Sequence, residues 1–388
     1  MIITSSPCLP KESYHCGNAI SSIITDLIFR YNFFLGNEQR IFSLATPWNL
    51  HGLPYERMFA EQFGHYGTYG EIKTFSADYV KMAEKQVSLF LDTTNENYIA
   101  HNDIDSCFIE FTVECFIRLI ENKFIVQRGG EWFIDTKLLL NEFNIDSAIR
   151  SIYCYPDYHK ASIIKERNTF DSFYPISKKR IFSPTVCYKG DVISVNPIFQ
   201  SFIYPLFLAE RFHENRVAYQ VGGAGYSMLK WQYFKQLISL ALTGQTSVEN
   251  MVLHGTILGY DGKPMSKHST NTLQPSDLYE MFRDRNFVRY TLIRSISNSN
   301  IPIQLDKSTR EYNRVKPMLR QIEIDFLKPL KNGTEQLLDQ VCVYLRSNKF
   351  NLALESYYVY LKKVKLSKYG DIDIQRRIRL LNQIFFVK

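Results

Sequence analysis

Ile20, Ile23, Ile24, Leu27, Ile28 and Tyr31 recur at helical spacing between the pair Gly17-Asn18 and Gly36. That pattern predicts an amphipathic helix with a glycine stop. A short β-branched run at residues 2–6, closed by Pro7 and Pro10, predicts a strand before it. Residues 40–45 (RIFSLA) predict a second strand after it. Strand, loop, helix, strand is how a doubly wound parallel sheet begins. Residues 76–91 and 103–123 predict two further amphipathic helices, and 124–175 mix strand-like pieces with polar turns, as an inserted module would. Strand signals follow at 180–193, then a helix over 226–243 ending at Gly244, then a strand over 251–258. From about residue 275 the pattern is almost wholly helical. The chain shows no internal repeat and no low-complexity segment.

Composition narrows this picture only slightly. The chain has 388 residues, which suits two or three compact units. Hydrophobic residues at 45% and charged residues at 22% are ordinary for a globular protein. The net charge of +7 is compatible with nucleic acid or nucleotide binding without demanding it. Basic clusters at Lys178-Lys179-Arg180, Lys362-Lys363 and Arg376-Arg377 read equally well as solvated faces. Seven cysteines, odd in number and without a CxxC pair, argue against a disulfide framework and against structural zinc. The first residues lack a basic region and a long apolar run, and no stretch is long and apolar enough to span a bilayer. The expectation is a cytoplasmic protein with no membrane partner.

Two loops carry candidate chemistry. Tyr14-His15-Cys16-Gly17-Asn18 opens a helix, whose N-terminus offers N–H groups and a positive dipole end to phosphate. Gly17 lets a ligand approach the backbone, and His15 can hydrogen-bond phosphate oxygens. The second loop, GYDGKPMSKHSTN at 259–271, joins a strand to a helical region and carries Lys263 and Lys267, cations suited to a triphosphate. Each loop alone is equally a cap or a surface turn.

Together, and with other segments in order, they resemble the catalytic core of class I aminoacyl-tRNA synthetases of the leucine, isoleucine and valine kind. Pro7 through His15, Gly17 and Asn18 resembles the HIGH signature with its following helix. Pro47-Trp48-Asn49-Leu50-His51-Gly52-Leu53-Pro54 with Glu56 resembles the GWDCHGLPxE segment. FLDTTNENYIAHND (90–103) resembles the stretch before the connective insertion, and Ile176 to Pro184 resembles ISRQRYWGxP. Val221-Gly222-Gly223-Ala224 is similar to the leucine enzyme's VGGAEHA, and His254-Gly255 with Lys263-Pro264-Met265-Ser266-Lys267-His268 to the HG…KMSKS end of the core.

The resemblance implies a Rossmann-type core divided by a short connective insertion. It implies core halves at 1–123 and 176–272, the insertion at 124–175, and a stem-contact and helical bundle domain at 273–388. It implies an adenylate-forming ligase that activates a carboxylate, by analogy an amino acid, with ATP as its Mg2+ complex, and with tRNA among its acceptors. Catalytic roles would fall to His15, Asn18, Lys263 and Lys267. ATP would meet Pro7, His15, Gly17, Asn18, Gly222, Gly223, His254, Met265, Ser266 and Lys267. The acyl substrate would meet Pro7, Asn49, His51 and Tyr226. Four positions depart from the pattern: Asn18 replaces the second His of HIGH, Pro264 the first Lys of KMSKS, Gly225 the ribose-binding acid, and Asn49 the Asp that pairs with the substrate ammonium. Fewer than fifty residues separate Gly130 from Ile176, too few for the family's editing domain, so double-sieve editing is not expected in this chain. The reading is therefore a specialised ligase with a non-housekeeping acceptor; the alternative is a non-catalytic relative that binds tRNA, nucleotide or a protein.

Overall fold

The β-branched and apolar runs of the chain become short buried strands, and its periodic stretches become helices. The structure, a computed structural model, describes residues 1–10, 14–35, 41–94, 98–99, 101–259, 261–265, 271–324, 335–364 and 372–387. It divides into two compact units, one of residues 1–12, 46–83 and 99–253, the other of residues 13–45, 84–98 and 254–388. The fold is α/β.

In the first unit four strands stand side by side in the order Ile2–Ser5, Val217–Gly223, Val248–His254, Tyr153–Tyr155. Ile2–Ser5 pairs parallel with Val217–Gly223, Ile3 facing Tyr219 and Ser5 facing Val221. Tyr153–Tyr155 pairs parallel with Val248–His254, Asn250 facing Tyr153. All four residues of Ile2–Ser5 are buried, as parallel strands covered on both faces require. The helix Pro197–Arg211 is apolar almost all round, with Phe199, Phe202, Ile203, Tyr204, Phe207 and Leu208 buried. Asn196 caps it by accepting from the Ile198 N–H at 3.3 Å, and Pro197 fills its first turn. It packs against the helices Ser106–Glu121 and Tyr226–Thr243.

Residues 124–175 carry a three-stranded antiparallel sheet, Ile125–Arg128, Glu131–Asp135 and Phe173–Pro175. Gly129 and Gly130 turn the first hairpin at φ 56° and 82°, the left-handed pair a two-residue loop demands. The sequence places this whole stretch outside the core; the structure differs at Tyr153–Tyr155, which returns to the parallel sheet.

The second unit holds the helix Cys16–Leu35, the parallel pair Ile257–Leu258 with Ile301–Pro302, and helices running from Pro275 to Phe385. Ile20, Ile23, Ile24 and Leu27 of Cys16–Leu35 are all buried. The helix rests on Arg285–Arg294 and Ile372–Phe385. A charged cluster ties the three. Asp26 accepts from Arg30 Nε at 2.8 Å and meets Arg289 at 2.6 Å. Fully buried Arg289 also donates to the carbonyls of Phe90, Ile384 and Phe385 at 3.0, 2.7 and 2.8 Å. Arg30 donates to the Gln383 carbonyl at 2.7 Å. The arginines thus supply donors to carbonyls that the helix end leaves unpaired.

Candidate functional site

The residues that the sequence assigns to one site fall into two sets, one in each unit. In the second unit the helix Cys16–Leu35 begins with a fold-back: Asn18 N–H donates to the His15 carbonyl at 2.9 Å, and Cys16 N–H to the Leu273 carbonyl at 2.8 Å. A Cβ on Gly17 would stand 3.0 Å from two atoms of the His15 ring, so the glycine lets that ring lie against the backbone.

One turn along the same helix, Ser21 Oγ lies 2.7 Å from His254 Nε2. His254 Nδ1 lies 2.8 Å from the Gly255 carbonyl. A carbonyl only accepts, so Nδ1 carries the proton and Nε2 accepts from the serine hydroxyl. Burial pushes the His254 pKa down to about 4, against the lifting effect of that carbonyl bond, and the ring is neutral at physiological pH. His254 therefore fastens the strand end to the helix through both nitrogens. Gly255 is held as closely: an added Cβ would fall 2.1 Å from the Ser299 carbonyl oxygen.

The turn after Ile257–Leu258 closes with Gly259 N–H on the Lys263 carbonyl at 2.8 Å. Gly259 is required there, since a Cβ would meet the Asn271 backbone oxygen at 2.5 Å. The Asn271 side chain and the Lys263 N–H hold the exposed Asp261 carboxyl below its ordinary pKa. Lys263 is exposed, and Met265 is buried. Ser266 and Lys267 lie outside the described residues, as does the side chain of Tyr226.

In the first unit the chain from Ser6 to Cys8 runs into two ladders. Ser6 N–H donates to the Val221 carbonyl at 2.8 Å, Cys8 N–H to the Pro47 carbonyl at 3.0 Å, and Asn49 N–H to the Cys8 carbonyl at 2.8 Å. Gly222 keeps the strand end narrow: a Cβ would meet Ser6 Oγ at 3.1 Å and Gln232 Nε2 at 3.2 Å. Gly223 and Ala224 lead into Gly225, which begins the helix Tyr226–Thr243 without a side-chain cap.

The loop from Pro47 to Gly52 is fixed by groups the sequence reading did not single out. Asp103 accepts from the Leu50 N–H at 2.6 Å and the His51 N–H at 3.1 Å. Gln200 donates to the Asp103 carbonyl at 3.0 Å, which turns its Oε1 to His51 Nδ1 at 2.8 Å. His51 Nδ1 is thus the donor, and Nε2 is left to accept from Tyr69 Oη at 3.1 Å. The His51 side chain is fully buried with both nitrogens engaged. Glu56 Oε1 accepts from the N–H groups of Ile181 and Phe182 at 3.1 and 3.0 Å. These partners lie 18 to 149 positions apart in sequence, and no local pattern signals them.

Pro7, Pro47, Trp48, Asn49, Gln200 and Ser201 line a cavity of about 10 Å³, the room of about one water molecule. Asn49 Nδ2 donates to Ser201 Oγ at 3.3 Å. Beside it His101 is packed among Phe108, Tyr204 and Phe207, with ring centroids 5.2 to 5.6 Å away. Burial lowers its pKa to about 4, so it too is neutral.

Parallel strands ending in close-packed glycine turns define an α/β scaffold of the kind whose ligands lie beyond the carboxyl ends of the strands. Residues 203–304 match the family profile described as tRNA synthetases class I (I, L, M and V). The chain is 22% identical over 196 residues to the valine–tRNA ligase of Methanococcus maripaludis, across 40% of this chain and 22% of that protein. It is 19% identical over 312 residues to the valine–tRNA ligase of Methanocaldococcus jannaschii, across 62% of this chain and 35% of that protein. The matched stretches thus span about a fifth to a third of those relatives. In fold it is similar to Mycobacterium tuberculosis methionyl-tRNA synthetase bound by methionyl-adenylate, at TM-score 0.72 and 14% identity over 99% of this chain and 91% of that one. Over residues 203–304 the chain is thus similar to class I aminoacyl-tRNA synthetases, and its α/β fold is that of a class I synthetase-like, Rossmann-type core.

Proposed function

We propose that this protein is an ATP-dependent ligase that activates a carboxylic acid as its adenylate and passes the acyl group to an acceptor other than the one used in housekeeping aminoacylation. The observation that carries this reading is the retained loop at the start of Cys16–Leu35, with His15 lying against Gly17 at a helix N-terminus. In the proposed reaction a carboxylate oxygen attacks the α-phosphorus of ATP and pyrophosphate leaves. His15 and the first-turn N–H groups take the phosphates, with Gly17 and Asn18 beside them. Lys267, with exposed Lys263, balances charge gathering on pyrophosphate. Gly222 and Gly223 lie under the nucleoside, Met265 contributes an apolar contact to the base, and Pro7 and Asn49 face the acid. Mg2+ accompanies ATP as its complex. Such a site works mainly by positioning.

His51 and His254 enter this scheme as positioning residues, because their ring nitrogens are committed within the chain. The domain boundaries expected from sequence, apart from the return of Tyr153–Tyr155 to the parallel sheet, and a cytoplasmic location are parts of the same proposal.

ATP–pyrophosphate exchange across a panel of acids is the test. Exchange that disappears in Lys267→Ala supports the ligase. A second reading, a relative that binds without catalysis, is favoured by the absence of an acidic residue at positions 49 and 225. The ligase reading is refuted if no acid supports exchange and ATP does not raise the unfolding temperature. A gel shift with tRNA tests the acceptor: affinity that does not fall as salt rises removes tRNA from the scheme.

A further inference from the structure

Apart from the candidate site, the first unit carries a groove within residues 59–82. The helices Leu53–Phe63 and Tyr69–Ser88 follow one another through a short turn in which Gly64 takes φ 75°. Aromatic rings bridge the two: the Phe75 ring stands 5.5 Å from Phe59, 5.9 Å from Phe63 and 5.1 Å from Tyr79. These rings and Met82 line a groove of about 620 Å³. Phe63 and Met82 remain 50% and 37% exposed, and Tyr66 in the turn 66%. Clustered apolar side chains left in water mark interaction surfaces.

Charge selects the partner. Among the described residues lining the groove the charged ones are Glu71 and Asp78, both carboxylates, in a chain whose net charge is +7. Thr68 holds Glu71 Oε2 through its N–H and its hydroxyl, at 2.7 and 2.8 Å. Lys81 reaches Asp78 at 3.0 Å, but both side chains are largely exposed, and such a surface pair is easily exchanged for another. The two acids repel a phosphate backbone or an anionic membrane. A second copy of this chain seated face to face would set acid against acid. A basic partner suits them. Glu71 and Asp78 are seven positions apart, close to two helical turns and about 10 Å along one face, and Gly70 to Met82 span about 18 Å. A helix laid along that face repeats its own side chains at the same interval. Gly70 keeps one end open, since an added Cβ would meet nothing within 4 Å. We propose that this groove docks a basic amphipathic helix of a partner protein, its apolar stripe on Phe63, Phe75 and Met82, and two cations seven residues apart on Glu71 and Asp78.

Three synthetic helical peptides with a common leucine stripe test it, by fluorescence anisotropy on the full chain. One carries lysines seven residues apart, one the same lysines five apart, and one glutamates in place of the first peptide's lysines. The first should bind about fivefold tighter or more than either of the others, since two surface ion pairs are at stake. Its affinity should fall as salt rises. Glu71→Gln combined with Asp78→Asn should bring the three within about twofold of one another. Phe63→Ser should weaken the first about tenfold. Equal binding of the three by the unaltered protein, or no binding of the first, overturns the proposal. So does tight binding kept by Phe63→Ser, which would put the contact elsewhere. Should that variant not fold, the double charge variant decides the matter. Self-association of the protein that Phe63→Ser abolishes would make a second copy the occupant, and binding to phosphatidylserine vesicles lost in the same variant would make it a membrane; either result overturns the assignment.

Discussion

Replacing His254 by glutamine should flatten the acid side of the stability profile. The neutral ring donates from Nδ1 and accepts at Nε2, and burial holds its pKa at about 4 rather than 6.5. A histidine with a depressed folded-state pKa contributes stability that is complete above its unfolded value and is lost as pH falls through the folded one. The window is therefore 6.5 down to about 4. Between about pH 7.5 and about pH 5, linkage with these two values gives a loss of about 2 kcal/mol from this residue alone. His101 has the same two values and should add a similar loss, also about 2 kcal/mol. Glutamine can still accept from Ser21 Oγ but does not titrate. Urea unfolding at the two pH values measures the difference directly. His254→Gln should be less stable than the unaltered protein near neutrality, yet lose about 2 kcal/mol less on acidification. Identical losses in the two proteins would refute the claim that His254 is buried neutral.

Asp26→Ala should lower stability by about 3–5 kcal/mol in urea, since it leaves Arg30 and Arg289 facing each other without their shared carboxylate; a change under about 1 kcal/mol would mean the cluster is solvated. Gly255→Ala should yield little soluble protein, because its Cβ would fall 2.1 Å from a backbone oxygen, whereas Gly225→Ala should be tolerated, its nearest atom being 4.0 Å away. Asp103→Ala should cost about 2–4 kcal/mol by stranding two buried N–H groups, and Asp103→Asn, which keeps an acceptor, should cost less; equal urea midpoints for the two variants would contradict this.

The helix Cys16–Leu35 was legible because Ile20, Ile23, Ile24, Leu27 and Ile28 repeat at helical spacing between polar residues, although every residue from Ser22 to Arg30 is buried. Pro197–Arg211 was not, because it is buried nearly all round and shows no polar side to set a period. The run 251–258 reads as one strand, but the chain breaks it after His254, where Gly255 N–H turns to the Ser297 carbonyl at 2.7 Å. At the candidate site, residue types and order were readable, while commitments were not. The resemblance assigns His254 to the ATP site, but its contact with Ser21, 233 positions away, is not readable from sequence. Helix Leu53–Phe63 went unread because Gly52, at φ 104°, and Pro54 look like a loop until they are seen to begin it.

The arginine clasp on the last helix also sets a schedule. The first unit has all of its residues once Leu253 has been made, although the second unit begins at Ser13. Arg30 finds the Gln383 carbonyl only after 353 further residues have been added. At about 5–20 residues per second that is roughly 20–70 s of synthesis. Throughout that interval Ile20, Ile23, Ile24 and Leu27 await the helix that completes their cover on the nascent chain. The helix Cys16–Leu35 leaves the ribosome long before the helix that secures it, so a chaperone that shields such waiting apolar segments would matter more to this chain's yield than its final stability suggests.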